Sequence, residues 1–449
     1  MALDIRQLNV DLPAKRLQPG YPSVGGVYPR PRIPKPTVES VQKLSAYLQQ
    51  AWQPRTRRLE VLENLYRLKH PKANAGEHIT AMPDPKLIVN KVAARLGTAG
   101  IEERVIASSE IEVTEEAAQR EEIFDDWWLE QVSDQLEEEG RGRLQQEAAF
   151  HSAHRGALAN IVLADPTNPK FPWKFYPLDW ANVYPSLSFG SDRPILCISR
   201  MNADELIRLF PGNQRVKEME MSETQEITYY YDSEWMGIIM GDGTVLKPFA
   251  AHQYGWNPCV LSLVGGWPVR STPWENSSTS FVEYAGMPLL DPVVEWIEEF
   301  DKILSEAYSH HAKAFAPPYY FAVDKDSNQV RTFQIDTSPN APNPLPPGIK
   351  AEDVKFWNPG ALNQETQFLS SVFQSRLNRL LPAITFGEFD TNESGYAGQI
   401  ARAAANDAFF PPASAIQSHI RRILSRVKSL MANDYVGLST VMVASQRRA

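Results

Sequence analysis

Apolar residues recur at three- and four-residue spacing early in the chain, which predicts amphipathic helices over Ser40–Trp52, Arg57–Leu68 and Pro85–Leu96. Gly97 and Gly100 end the third. Residues 113–150 predict a helical pair broken at Gly140 and Gly142. The period then shortens. Ala157–Ala164 reads as a strand, followed by Trp173–Tyr184, Pro194–Met201, Glu226–Tyr231, Met236–Met240 and Thr244–Pro248. Gly241-Asp242-Gly243 is a hairpin turn signal. The 39 residues before the first helices are rich in proline and glycine and are expected to form an extended arm.

Helical spacing returns at Asp291, expected as an N-cap with Pro292 in the first helical position. Val293, Trp296, Ile297, Phe300, Leu304 and Ala307 form an apolar stripe flanked by Glu295, Glu298, Glu299, Asp301 and Lys302. Pro317-Pro318 stops this helix near Ala316. Two short strands, Tyr319–Val323 and Val330–Ile335, precede a proline-rich loop, SPNAPNPLPPG. Leu362–Leu381 is a second amphipathic helix, ended by Pro382. A polar loop, AITFGEFDTNE, leads into a helix of small residues, SGYAGQIARAAANDA. Pro411-Pro412 then breaks or kinks the last helix, which runs to about Met431.

Composition narrows the chemistry. The 449 residues are 43% hydrophobic and 22% charged, enough for two or three folded domains. No apolar run of about 18 residues predicts a membrane span. The charged first ten residues predict no secretory signal. The net charge of −9 is uneven: residues 101–140 carry fifteen acidic and two basic side chains, residues 421–449 one and six. An acidic chain is a poor DNA wrapper, since phosphate binding rests on Lys and Arg, but it suits a surface that DNA slides past. Cys197 and Cys259, without CxxC spacing, are expected as two buried reduced thiols, with one disulfide as the other reading. His151 and His154 lie three apart and His310 and His311 are adjacent. No HExxH or acidic partner accompanies them, so they are expected as surface or interface histidines, with no metal site. No helix and no Lys-Ser/Thr follow the 241–243 glycines, which removes a phosphate loop and any cofactor expectation.

The order of elements resembles the portal family of tailed phages, in its long-tailed branch. The resemblance covers roughly residues 40–434. LLDPVVEWIEEFDKILSEAYSHHAKAFAPPYYF, 289–321, is similar to the family's first stem helix and its passage into the clip. FLSSVFQSRLNRLLPAITFGEFDTNESGYAGQIARAAA, 368–405, is similar to the second stem helix, the tunnel loop and the helix behind it, with the Ser394-Gly395-x-Ala397 step the family shows there. KLIVNKVAARLGTAGI and HRGALANIVLADP resemble its wing domain.

The resemblance implies an α+β portal fold. An arm (1–39) precedes an α/β wing (40–283) and a first stem helix (284–316). A small β-containing clip (317–361), second stem helix (362–381), tunnel loop (382–394), long kinked helix (395–434) and tail (435–449) follow. About fifteen residues follow Asp434, so the crown is expected to be minimal or absent. The implied function is non-enzymatic: a ring, a dodecamer by the family's pattern, at one capsid vertex. Double-stranded DNA passes through it without sequence readout. The implied partners are the large terminase, a head-tail adaptor, the major capsid protein and a scaffolding protein, with no membrane, in the virion and, during assembly, the host cytoplasm.

Stacked in a ring, Glu295, Glu298, Glu299 and Asp301, with Lys302, make a stem channel face of negative charge that repels phosphate; the alternative is a face turned to solvent outside the ring. Thr385, Phe386, Glu388, Phe389, Asp390, Asn392 and Glu393 are the tunnel-loop candidates, an acidic collar whose phenylalanines either pack or touch DNA. Gln329, Arg331, Phe356 and Trp357 are the clip's partner-contact candidates, with core packing as the alternative for the two aromatics. The runner-up from another class is a carbohydrate-active hydrolase, because Trp, Tyr and carboxylates are abundant.

Overall fold

The computed structural model describes residues 33–69, 81–98, 132–165, 173–187, 193–252, 254–266, 282–283, 285–315, 319–322, 341–345, 368, 371–372, 375 and 409–432. It is a mixed helix and sheet protein, as expected of an α+β chain. The chain divides into two compact units: Met1–Leu59 with Val92–Leu289 and Phe410–Ala449, and Glu60–Lys91 with Leu290–Phe409.

The expected early helices form as α1 (Val38–Ala51), α2 (Gln53–Tyr66) and α3 (Asp84–Gly97). Thr37 caps α1 through its hydroxyl, and Ser40 returns the bond, so two orphan N–H groups are satisfied. Residues 132–138 are helical and stop at Gly140, whose φ of +73° ends them. Next comes α4 (Leu144–Arg155), which ends on Gly156 at φ +68°. No other residue type fits at 156: a Cβ there would stand 2.4 Å from the Pro288 nitrogen, where the chain crosses at Gly286.

The first unit holds two antiparallel sheets. β1 (Ala157–Ala164) lies between β2 (Trp173–Leu178) and β8 (Cys259–Leu263). Every residue of β1 is buried, because β1 is the middle strand and α4 and the C-terminal helix cover it. The second sheet runs β3 (Val183–Pro185), β4 (Ile195–Asn202), β5 (Thr224–Tyr231), β6 (Trp235–Met240), β7 (Val245–Ala251) in order, a meander whose last hairpin turns at 241–243 as expected. Between β4 and β5 stand two short helices that the strand pattern hid, α5 (Ala203–Leu209) and α6 (Gln214–Lys217). Asn202 and Glu205 form a capping box at α5, the local signal for it.

Four expectations need correction here. The strand expected over 173–184 is interrupted, because the Asp179 carboxylate takes the Ala181 N–H at 2.9 Å and turns Trp180–Asn182 into a 3-10 helix. Asp291 does not cap its helix: a 3-10 turn, Asp291–Val293, begins after Leu290 without a side-chain cap, and α7 (Val294–Phe315) follows. Part of the proline-rich loop is a strand, β10 (Pro342–Leu345), paired in parallel with β9 (Tyr319–Ala322). Its prolines stand two apart, so their missing donors share one edge and the other edge remains free to pair. Pro411-Pro412 stand in the first turn of the last described helix and not inside it. Phe409 is in a turn and α8 (Phe410–Ala432) begins at the prolines, whose absent N–H groups would be orphans there anyway.

Cys197 and Cys259 are both free and buried, so the disulfide reading is set aside. The hydrogen bond between them, and then burial, push the Cys197 thiol well above its ordinary range. The expected arm of 1–39 ends sooner, since 33–37 are irregular and Val38 and Glu39 already belong to α1; its residues 1–32, the strand over 330–335, the tunnel loop and the small-residue helix lie outside the described residues, as does the helix over 362–381 apart from Phe368, Ser371, Val372 and Ser375, which are helical.

Candidate functional site

The candidate stem helix, α7, is in the second unit. Ile297 and Phe300 are buried, and Val293, Ile303, Leu304 and Ala307 are half-buried on the same side. Trp296 departs from the expected stripe: it is 41% exposed. A buried arc narrower than the periodicity suggests leaves it on the flank, and Tyr308 is exposed as well.

Glu295, Glu298, Glu299, Lys302 and Glu306 occupy the outer face, all exposed. Four carboxylates thus stand against one ammonium. Lys302 lies 2.6 Å from Glu299, and that bond raises the lysine's pKa, with the negative charge around it adding to the effect. Both side chains are mostly solvated, so the pair contributes little stability. Asp301 does not share this face. It is half-buried and accepts the Met82 N–H at 3.2 Å, which ties the helix to the segment before α3. Of the five expected channel residues, four therefore stand together and Asp301 turns inward. The tunnel-loop residues Thr385, Phe386, Glu388, Phe389, Asp390, Asn392 and Glu393, and the clip residues Gln329, Arg331, Phe356 and Trp357, lie outside the described residues.

The histidines on α4 are not surface groups. His154 is buried, and His151 is half-buried with Nε2 3.5 Å from Glu147. Burial alone would raise the Glu147 carboxyl; the hydrogen bond from His151 and the charge of Arg141 outweigh it and hold the group at about 2. The side chains of His310 and His311 are outside the described set. Among the described residues no group of three or more His, Cys, Asp and Glu is placed to hold a metal ion.

The first unit contains a charged interior that residue spacing did not reveal. Arg55 of α2 is wholly buried between Trp52, Trp180 and Tyr184, with its guanidinium carbon 4.6, 4.4 and 5.0 Å from their ring centres. Its Nη1 donates to the Val183 carbonyl at 2.7 Å. Desolvation lowers its pKa to about 10, so it remains charged at neutral pH. The neighbouring Asp179 carboxylate is paired with Arg155 at 2.8 Å. Trp52, in the turn between α1 and α2, and Arg55 three residues on make the local half of this cluster; the other half arrives from β3 and the turn before it. Compared with known protein families the chain matches none, and no curated protein is significantly similar to it.

Proposed function

We propose that this chain is the subunit of a phage portal ring, a conduit for DNA and a docking platform for the terminase and head-tail adaptor, with no catalytic group of its own. The observation that carries the reading is the two-sided α7 helix. One side is apolar and packed; the other presents Glu295, Glu298, Glu299 and Glu306 with only Lys302 between them. Repeated around a ring, such a face stacks negative charge at each level. It repels a phosphate backbone at contact distance, while salt screens it beyond about 8–10 Å. A sliding polyanion needs such a wall, because Lys and Arg contacts would hold it. The order of elements around α7 supports the same reading: a proline-rich β9–β10 pair follows it, and α8 follows the acidic 383–393 stretch.

In this proposal the copies associate with themselves, as a dodecamer by the family's pattern, at one vertex of the capsid. The experiment is the mass and negative-stain image of the purified chain. A particle of several hundred kilodaltons with a central hole is expected, and a chain that stays monomeric both purified and in infected cells overturns the reading. Deleting residues 384–392 should leave ring assembly intact and alter DNA packaging or retention. Collapse of the rings would show that this loop is not the tunnel loop.

A further inference from the structure

The underside of α8 carries a chain of polar groups whose direction is fixed. His419 is 0% exposed, in the middle of the helix, facing β1 and β8. Its Nε2 meets Asn160 Oδ1 on β1, and its Nδ1 lies 3.2 Å from Ser262 Oγ on β8. An amide oxygen only accepts, so Nε2 carries the imidazole hydrogen and Nδ1 is the lone-pair nitrogen, receiving the Ser262 hydroxyl hydrogen. Arg422, one turn along, donates Nη1 to the Leu261 carbonyl at 2.7 Å and reaches Ser262 Oγ at 3.5 Å. Arg422 to Ser262 to His419 to Asn160 is therefore one donor chain, complete only with a neutral imidazole.

A second proton on His419 would sit on Nδ1 and break the donor chain, because the Ser262 hydroxyl would have to turn its hydrogen away and accept from the imidazolium beside the Arg422 guanidinium. No element packed on the ring offers a carboxylate free to favour the charge. Its own helix supplies Arg422, and α4 supplies His151, both acting against it. The other α4 charges are engaged elsewhere, Arg155 with Asp179 and Glu147 with Arg141 and His151. β1 and β8 offer no carboxylate, only Asn160, Ser262 and the Cys259 thiol.

We propose that this chain of hydrogen bonds is an acid-sensitive latch, which holds α8 on the β2-β1-β8 sheet at neutral pH and selectively loosens that helix as the solution turns acid. The other contacts that hold α8 on the sheet are apolar or rest on arginine and tryptophan. Ile416, Ile420, Ile423, Leu424, Val427 and Leu430 are buried, Arg426 stacks on Trp256 at 4.8 Å, and Trp256 donates to Ser429 at 3.2 Å. Acid therefore lowers the cost of opening α8 without ejecting it outright.

The sign follows from linkage. Burial, then Arg422 and His151, depress the docked imidazole to about 3, whereas an undocked one keeps its ordinary value near 6.5. The latch is at full strength above about pH 6.5 and weakens as pH falls toward 3. One proton is taken up on opening, so the open population rises about tenfold per pH unit in between.

Hydrogen exchange of the intact protein, with each amide normalised to its intrinsic rate at each pH, tests this. Protection of the 410–432 amides should fall about 50-fold between pH 6.5 and 4.5, while the β4 amides, remote from the other acid-depressed histidine, His252 beside the β5–β6 turn, keep theirs. His419→Gln, which can donate to Asn160 and accept from Ser262, should keep α8 protection level over that range. Ser262→Ala, which frees Nδ1, should raise the docked pKa and shrink the total loss. The proposal is overturned if wild-type α8 protection is level, if His419→Gln shows the wild-type slope, or if the β4 amides lose protection equally.

Discussion

Arg55 tests how a buried charge is tolerated in the first unit. Three ring contacts at 4.4–5.0 Å contribute about 0.5–2 kcal/mol each. The bond to the Val183 carbonyl adds about 1.5–3 kcal/mol. Against this stand the desolvation of a guanidinium, several kcal/mol, and two buried N–H groups, Nε and Nη2, without hydrogen-bond partners, about 1–3 kcal/mol each. The two sides are of similar size, so the charge itself is close to neutral for stability while the volume it fills is not. Arg55→Met keeps an unbranched stem between the rings and is expected to unfold within about 1.5 kcal/mol of wild type. Arg55→Ala opens a cavity beneath Trp52 and Trp180 and should cost about 3–5 kcal/mol. Arg55→Lys retains a buried charge without the planar stacking and should fall between them. Urea unfolding at pH 7, followed by tryptophan fluorescence and circular dichroism with the slope held constant, reads the three values. If Arg55→Met is as damaging as Arg55→Ala, the charge contributes far more than it costs and the reasoning fails.

Other consequences follow from single positions. Gly237→Ala places a Cβ 2.3 Å from the Phe249 ring, which packs edge-on against Tyr230, and should cost about 1–3 kcal/mol in the same assay. Gly156→Ala meets backbone on a left-handed residue and should yield little folded protein, visible as loss of soluble expression. Glu147 is held at about 2, so its contribution is complete above its ordinary value near 4.5 and is lost as pH falls toward 2. Glu147→Gln should flatten the melting temperature profile in that window. Glu298→Lys with Glu299→Lys should change the melting temperature little, since both residues are exposed, but should slow DNA passage in assembled rings and make it salt-dependent. Packaging measured at two ionic strengths decides, and unchanged passage at both would remove these residues from the channel.

The elements legible in the sequence are those whose signal lies within a few residues along the chain. Three- and four-residue spacing located α1 to α4, α7 and α8 to within a few positions, because a helix satisfies its backbone locally and shows its buried face in its own period. The short β-branched and aromatic runs and the 241–243 turn located β4 to β7 because strand composition and turn residues are local signals, although the pairing between strands is not. Errors arose where a local signal has two outcomes. A double proline either kinks a helix or starts one, and Phe409 in a turn decided for a start. A stripe containing Trp296 and Ile297 does not state how wide the covering surface is. Alternating prolines do not announce which edge finds a partner.

Only tertiary structure decided the interior chemistry. Arg55 meets Val183 128 residues away, Trp52 meets Pro185 133 away, and His419 meets Asn160 259 away. No periodicity carries such pairings. They exist because packing brings distant strands and helices together, where burying a charge or an imidazole is tolerated only beside the partners that the fold supplies.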